Sequence, residues 1–197
     1  MKVAIINYNA GNTKSVEHAL HRLGIQPLIT DVAEEILTAD KIIFPGVGHA
    51  ETTMQYLKEK YLDKVIKDTK QPFLGICLGQ QLMCTHSEEG NVDCLDIFPI
   101  QVRKFRSENN TLKIPQMGWN NLYNLKSKLF KNIDEKSFVY FVHSYYCEMS
   151  EFTIATCDYL LPFSAAMQKD NFYAVQFHPE KSADTGQKII QNFLDYC

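Results

Sequence analysis

One cysteine of this chain lies in a setting that favours nucleophilic chemistry. The segment Gly75-Ile76-Cys77-Leu78-Gly79 follows the apolar run Pro72-Phe73-Leu74 and precedes residues 80–84, which are predicted to begin a helix. A strand that turns sharply into a helix holds the residue at the turn in a strained conformation, so the flanking glycines avoid clashes. The spacing predicts that the sulfur is exposed above a sheet at the positive end of a helix, where a thiolate is favoured.

A histidine and a carboxylate that would complete such a site occur near the end of the chain, in Gln176-Phe177-His178-Pro179-Glu180. Side chains two positions apart in an extended chain point the same way, and a following proline favours extended geometry at His178. We therefore expect Glu180 to orient the imidazole. Cysteine, histidine and an orienting acid are the set that covalent acyl transfer uses. Taken alone, this segment is more commonly a structural loop histidine.

A glycine-rich loop, Pro45-Gly46-Val47-Gly48, directly follows a predicted strand. Glycines permit backbone conformations that turn an N–H group towards a developing oxyanion. The N–H of Val47 or Gly48 would be one donor of such an oxyanion hole, and the Leu78 N–H, one residue past the nucleophile, would be the second. An ordinary glycine turn is the competing interpretation.

Composition restricts the class of protein. The chain has 197 residues, of which 45% are hydrophobic, which fits one α/β domain over residues 1–197. Its net charge of −3 argues against nucleic acid or an anionic membrane as the main partner. No stretch approaches the roughly 18–20 apolar residues that span a bilayer, and no secretory signal is visible, so a cytoplasmic location is expected. The six cysteines show no metal-binding spacing. We therefore expect reduced thiols, no metal and no cofactor.

The order of predicted elements indicates an open, mostly parallel sheet. Strands over residues 2–7, 27–29 and 41–44 alternate with helices over 12–23 and 51–57 before the strand that leads to Cys77, and such alternation implies right-handed crossovers. Because ligands bind beyond the carboxyl ends of parallel strands, the glycine loop, Cys77 and His178 are expected to converge. The later part predicts antiparallel strands and a closing helix, over residues 95–105, 112–114, 138–142, 152–157, 163–167, 172–176 and 185–196.

Together these segments resemble the class I, triad-type glutamine amidotransferases, and the resemblance runs nearly from end to end. It rests on residues 7–12, 44–48, 75–82, 87–90, 115–120, 142–146 and 176–182. It implies a flavodoxin-like fold in which Cys77 attacks the glutamine carboxamide, His178 transfers protons and Glu180 orients it. It also implies that glutamine is bound by Gly46, Gln81, Glu89, His143, Ser144 and Tyr145; the side chains of Gln81 and Glu89 suit the amide and ammonium groups of an amino acid.

The segments 115–120 and 142–146 are similar to one branch of the family, whose members form a heterodimer with the (β/α)₈-barrel cyclase subunit of imidazole glycerol phosphate synthase. That resemblance implies that ammonia passes to the cyclase, that the cyclase ligand activates the glutaminase, and that Asn12, Trp119 and Lys181 lie at the interface. The chain departs from the common pattern at Asn7, Gln80 and Gln116, none of them a triad position.

Three alternatives remain open at this point. A paralogue could deliver ammonia to another acceptor, such as an amidino group on a surface sugar. A free hydrolase of the same fold, for example a peptidase or γ-glutamyl hydrolase, would act without a partner, although Lys181 and the segment 117–119 argue against it. A non-catalytic binding module would normally have lost a member of the triad, and all three members are present.

Overall fold

The computed structural model describes residues 1–8, 12–107 and 112–197, so the middle of the 7–12 segment lies outside the described residues. In chain order the elements are β1 (Val3–Ile6), α1 (Thr13–Arg22), β2 (Leu28–Thr30), α2 (Ala33–Leu37), β3 (Lys41–Phe44), α3 (Ala50–Glu59), α4 (Leu62–Asp68), β4 (Phe73–Ile76), α5 (Leu78–Leu82), β5 (Cys84–Ser87), β6 (Val92–Asp93), β7 (Phe98–Lys104), β8 (Gln116–Asn121), a 3₁₀ turn (Lys128–Phe130), β9 (Phe138–His143), β10 (Tyr145–Cys147), β11 (Thr153–Tyr159), β12 (Leu161–Lys169), β13 (Phe172–Val175), a second 3₁₀ turn (Pro179–Lys181) and α6 (Ala183–Tyr196).

The central sheet has the strand order β11-β12-β13-β4-β3-β1-β2. The five strands from β13 to β2 run parallel to one another, whereas β11 and β12 are antiparallel additions at the β13 edge. The prediction of an open, mostly parallel sheet with extra antiparallel strands is confirmed. A four-stranded sheet, β10-β7-β5-β6, and the two-stranded pair β8-β9 complete the strands of the described residues.

Alternating side chains of the parallel strands build two cores, one on each face of the sheet. Val3 and Ile5 pack in one cluster with residues of α1 and α6, while Ala4 and Ile6 pack in the other with residues of α3. Strands buried on both faces are expected to be continuously apolar, as β1 is. In the part of the chain that the structure describes, no helix is both long enough and apolar enough to cross a membrane.

Several predicted elements were wrong in place or length. Residues 112–114 form no strand; the strand begins after Pro115, as β8. The helix after Cys77 ends at Leu82, and Cys84 already begins a strand. The short helices α2 and α4 were not predicted, because five and seven residues give too little periodicity to recognise.

Candidate active site

Three neighbouring parallel strands end at the same edge of the central sheet and carry the predicted chemistry. In their register, Val175 lies opposite Ile76 and Phe44 lies opposite Gly75. The chain therefore leaves β3 into the glycine loop, β4 into Cys77 and β13 into the segment that contains His178. Residues far apart in sequence meet there because the strands carrying them are adjacent.

The turn at Cys77 has the strained backbone that its sequence predicted, with φ 53° and ψ −106°. A Cβ atom added at Gly79 would overlap the carbonyl oxygen of Phe44, and one added at Gly75 would lie 2.9 Å from the Gly79 carbonyl carbon. The Cys77 N–H donates to the Val175 carbonyl over 2.7 Å, which joins the turn to the next strand. The two glycines are thus required by close backbone approach on both sides of the cysteine.

The imidazole of His178 is held by a carboxylate. Its Nδ1 lies 2.8 Å from Oε1 of Glu180, and both side chains are buried, with 3% and 1% of their surfaces exposed. The predicted geometry was wrong in one respect: the segment does not stay extended, because Pro179–Lys181 forms a 3₁₀ turn. This turn, rather than strand alternation, brings the carboxylate to the ring.

The backbone of His178 is fixed as well. Its N–H donates to the Tyr140 carbonyl over 2.9 Å, and the hydroxyl of Ser182 donates to the His178 carbonyl over 2.6 Å. Burial alone would lower the pKa of His178, but hydrogen bonding to Cys77 and Glu180, together with their negative charge, outweighs it and raises the pKa from 6.5 to about 10. The charged imidazolium is therefore the favoured form at neutral pH.

A cavity of about 330 Å³ opens beside the Cys77 sulfur. Most of the residues predicted for catalysis, the oxyanion hole and glutamine binding line it, and Lys181 lies at its wall. The lining consists of Gly46, Val47, Gly48, Cys77, Leu78, Gln81, Glu89, Pro115, Val142, His143, Ser144, Tyr145, His178 and Lys181. Pro115 and Val142 were not among the predicted site residues. They lie on the β8–β9 side of the cavity.

At the cavity wall, Gln81 is held by two acceptors. Its Nε2 donates to the Tyr145 carbonyl over 3.0 Å and to Oε1 of Gln176 over 2.9 Å. Both N–H groups are used, so the carbonyl oxygen is the part of the amide left for a ligand. Gln176, which the sequence analysis did not select, also directs its Nε2 at the Cys77 sulfur, 3.6 Å away.

His143 is the second buried histidine of the cavity. Its Nδ1 lies 2.7 Å from the Tyr145 carbonyl oxygen, and its Nε2 lies 2.9 Å from Oε1 of Gln116. Burial lowers its pKa from 6.5 to about 4, and the charge of His178 acts in the same direction. The ring is neutral and carries a single N–H, which the Tyr145 carbonyl and Oε1 of Gln116 can both accept.

The glycine loop is fastened by Tyr8, another residue that the sequence analysis did not select. The buried hydroxyl donates to the Pro45 carbonyl over 2.7 Å and lies near the backbone N–H of Val47. Burial raises the pKa of Tyr8, and the charge of Cys77 adds to the effect. Gly48 has φ +140°, a region that suits glycine.

Of the remaining predicted residues, Glu89 and Lys181 line the cavity, whereas Asn12 and Trp119 do not. Glu89 accepts the Ala50 N–H at the start of α3 over 2.9 Å through one carboxylate oxygen. Asn12 donates to Oε1 of Glu180 over 3.2 Å, so its side chain supports the carboxylate beside His178. Trp119 is exposed on β8, and Lys181 is exposed at the mouth.

The other cysteines have different surroundings. All six are free thiols. Cys84 and Cys147 are buried with their sulfurs 3.5 Å apart, and burial raises the pKa of Cys84 well above its usual range. Within residues 1–8, 12–107 and 112–197, no three side chains of the metal-binding types form a cluster that would hold an ion.

Known proteins resemble this chain along nearly its whole length. A family model described as glutamine amidotransferase class-I matches residues 4–197. The chain is 60% identical over 195 residues to the imidazole glycerol phosphate synthase subunit HisH of Bacteroides fragilis, covering 99% of this chain and 100% of that protein. It is 44% identical over 197 residues to the subunit of the same name from Escherichia coli, again covering 99% and 100%.

Solved structures share the fold at much lower sequence identity. PurLQS from Thermotoga maritima superposes with a TM-score of 0.73 at 17% identity, covering 99% of this chain and 98% of that one. A crystal structure of a glutamine amidotransferase gives 0.73 at 16% identity, covering 98% and 97%. Family model, full-length relatives and fold all agree, and the chain belongs to the class-I glutamine amidotransferase family.

Proposed function

We propose that this chain, acting as one domain over residues 1–197, hydrolyses glutamine to glutamate and ammonia and delivers the ammonia to a (β/α)₈-barrel cyclase subunit of imidazole glycerol phosphate synthase, in histidine biosynthesis. The observation that carries the proposal is the meeting of Cys77, His178 and Glu180 at one sheet edge beside a cavity. The names of the full-length relatives support the pathway.

The first chemical step is attack of the Cys77 sulfur on the side-chain carbonyl carbon of glutamine. A new C–S bond forms as the C=O electron pair moves to oxygen, giving a tetrahedral intermediate. The raised pKa of His178 favours an imidazolium beside the sulfur, and the thiolate is the form that attacks. Glu180 keeps Nδ1 occupied, which leaves Nε2 to serve the reacting groups.

The oxyanion of that intermediate needs backbone donors. The Leu78 N–H at the start of α5 is one, because it directly follows the nucleophile. A second donor would come from the Val47–Gly48 part of the loop. The loop would supply it by rotating a peptide, and Gly48 has the conformational freedom to permit this. Such a rotation would be the activating change.

The intermediate collapses when His178 gives its proton to the departing nitrogen. The C–N bond breaks, ammonia leaves and a γ-glutamyl thioester remains on Cys77. Water then attacks the thioester carbonyl and gives a proton to His178. The C–S bond breaks, which releases the γ-carboxylic acid and returns the thiolate–imidazolium pair to its starting state; the acid loses its proton to solvent and becomes glutamate.

Recognition of glutamine falls to the opposite side of the cavity. The Glu89 carboxylate has one oxygen on the Ala50 N–H and presents its negative charge to the cavity, where it would pair with the α-ammonium group. The Gln81 carbonyl oxygen would accept a hydrogen bond from the same group or from the carboxamide. Gly46, His143, Ser144 and Tyr145 would shape the walls.

An exposed apolar surface next to the cavity supports a partner. Met117, Trp119 and Phe138 lie on β8 and β9 and are 66%, 52% and 55% exposed. Trp119 lies opposite Tyr140 in the β8–β9 register, and Met117 lies opposite Val142, which lines the cavity. We call this set of five residues the hairpin face. Clustered exposed hydrophobic side chains commonly mark a protein interface, and Lys181 lies beside this one at the cavity mouth.

The experiment measures glutamine hydrolysis by the chain alone, with a purified cyclase subunit, and with the cyclase plus its nucleotide ligand. We expect turnover to rise in the last condition only. The variant Cys77→Ala is expected to lose glutamine-dependent synthesis by a factor of at least about 10³, while the reconstituted complex still uses added ammonium chloride.

Two results would contradict the proposal. Full turnover by the isolated chain, unchanged by cyclase and ligand, would favour a free hydrolase. Activation by a different acceptor enzyme, with no response to the cyclase, would favour a paralogue. A matched control is Cys84→Ala, which removes a buried thiol that does not line the cavity and should retain glutamine-dependent synthesis.

A further inference from the structure

Gln176 is a buried polar residue for which the proposed mechanism has assigned no task. It directly follows β13, two positions before His178, and its residue surface is fully buried. Its amide lies between two groups of the site. The carbonyl oxygen accepts from Gln81 over 2.9 Å, and the nitrogen lies 3.6 Å from the sulfur of Cys77. A fully buried amide in contact with the nucleophile requires a physical explanation.

The orientation of this amide follows from a backbone group. The carbonyl oxygen of Tyr145 can only accept, so the Gln81 atom that faces it is the amide nitrogen. The same nitrogen faces Gln176, which must therefore present its own oxygen. The Gln176 nitrogen is then directed to the Cys77 sulfur. One unambiguous acceptor thus determines the direction of two successive side-chain amides.

The surroundings of the sulfur give this contact a consequence. The Val142 carbonyl, 3.7 Å from the sulfur, accepts from the thiol but offers nothing to a thiolate. Among the described residues, His178 and Gln176 are the side chains placed to donate to it. A hydrogen bond to the charged form favours that form. The titratable groups that face the sulfur or share its cavity are Tyr8, Glu89, His143, Tyr145, His178 and Lys181.

We propose that Gln176 is a positioning residue that donates a hydrogen bond to the Cys77 sulfur, stabilises the thiolate and holds it towards His178. The inference rests on the proposed function for its relevance to catalysis, but the contact acts on the thiol whatever the substrate is. Gln81 serves as the support that fixes the Gln176 amide in this direction.

The test measures the rate of Cys77 alkylation by iodoacetamide as a function of pH, using the full-length chain and mass spectrometry of the peptide that contains Cys77. In Gln176→Met the donor is lost while the volume is nearly kept. We expect the half-maximal pH of alkylation to rise by about one unit, and the rate at pH values below it to slow roughly tenfold. Gln176→Glu keeps an oxygen for Gln81 but places a carboxylate at the sulfur, so its shift should be larger.

The matched control is Gln80→Met. Gln80 is as buried as Gln176 and lies close to Cys77 in sequence. Its Nε2 donates to the Ser164 carbonyl over 3.2 Å, however, and the residue does not line the cavity. Its alkylation profile should coincide with that of the unsubstituted chain. A second comparison is Gln81→Met, which is expected to raise the KM for glutamine while shifting the alkylation profile less than Gln176→Met does.

Equal alkylation profiles for Gln176→Met and Gln80→Met would overturn the inference. A Gln176→Met variant that raises only the KM would do so too, because the residue would then merely support Gln81. Circular dichroism and thermal unfolding establish that each variant is folded before alkylation is compared. The alkylation readout needs no glutamine turnover, so a chain that failed the glutaminase assay would still decide this point.

Discussion

Two buried histidines line the cavity, and at neutral pH one is charged and the other is neutral. His178 lies beyond β13 and His143 ends β9, and both are almost completely buried. Burial lowers the pKa of each. For His178 a carboxylate and a thiol reverse that effect, whereas His143 has a backbone carbonyl and a neutral amide as partners. The ordinary pKa of 6.5 becomes about 10 in one and about 4 in the other.

The difference teaches that the partners of a buried imidazole, and not its depth, decide whether it can move a proton. The parallel-strand side of the cavity combines a charged histidine with the nucleophile, which suits chemistry. The β8–β9 side carries a neutral histidine that braces the Tyr145 carbonyl and through it Gln81. That arrangement suits rigid recognition. Three predictions test this division of labour.

The largest effect is expected from Glu180→Gln, which makes the partners of His178 resemble those of His143. Loss of the carboxylate should lower kcat for glutamine hydrolysis by on the order of 10³. It should also lower the pKa of His178, because the carboxylate no longer stabilises the imidazolium. The alkaline limb of the kcat/KM profile should therefore shift to lower pH. A kinetic pH series on the activated complex measures both.

The matched control for that prediction is Asn12→Ala. It removes the donor to Oε1 of Glu180 but keeps the carboxylate and its contact with the ring. We expect a loss of no more than about tenfold, since one hydrogen bond is removed. Equal losses in the two variants would mean that the charge of Glu180 is not what distinguishes His178.

An intermediate effect is expected for stability in acid. The contributions of the two histidines to the free energy of unfolding depend on pH in opposite directions. His143 is neutral in the folded chain and takes up a proton on unfolding below pH 6.5, so its contribution to the free energy of unfolding falls as the pH drops from 6.5 through 4. Each pH unit is worth about 1.4 kcal/mol, so the loss is on the order of 3 kcal/mol. The stabilisation due to the raised pKa of His178 is complete below pH 6.5 and disappears as the pH rises towards 10.

Urea unfolding of the unsubstituted chain and of His143→Asn between pH 7 and pH 4.5 measures the first of these contributions. The variant lacks the imidazole and should lose less stability over this interval, even if it starts from a lower value. Parallel pH dependences in the two proteins would show that His143 is not kept neutral by burial, and the contrast between the histidines would fail.

The smallest effect is expected outside the cavity, on the hairpin face. Trp119→Ala should weaken association with the cyclase subunit by roughly 10- to 100-fold, while the free energy of unfolding of the isolated chain changes by less than about 0.5 kcal/mol. Titration calorimetry gives the first quantity and urea unfolding the second. Tyr61→Ala is the matched control, because Tyr61 is also an exposed aromatic residue but lies between α3 and α4. Equal weakening by both variants would remove the hairpin face as the docking surface.

The sequence alone predicted the parallel sheet and the residues at its carboxyl edge, because those signals are local. Cys77 between two glycines and His178 before Pro179-Glu180 can each be recognised within five residues. The resemblance to a known family added the residues of the opposite wall. Their roles remain predictions for the assays above.

The contacts that the sequence did not predict are long-range. Gln176 meets Cys77 across 99 positions and Gln81 across 95, and Tyr8 meets Pro45 across 37. No periodicity or spacing encodes such pairs, since they depend on which strands become neighbours. The strand predicted at residues 112–114 failed for a local reason, because the apolar residues there precede Pro115, which cannot donate a ladder hydrogen bond.

The alternation of side chains at the end of β13 constrains how this cavity can be altered. Gln176 and His178 reach the sulfur, while Phe177 between them packs with Phe141 in the core. If β13 slipped by one position against β4, Gln176 and His178 would turn away from the sulfur. The phenyl ring of Phe177 would face it instead. Redesign for a different amide is therefore better directed at Glu89, Ser144 and Tyr145, whose replacement leaves that strand untouched.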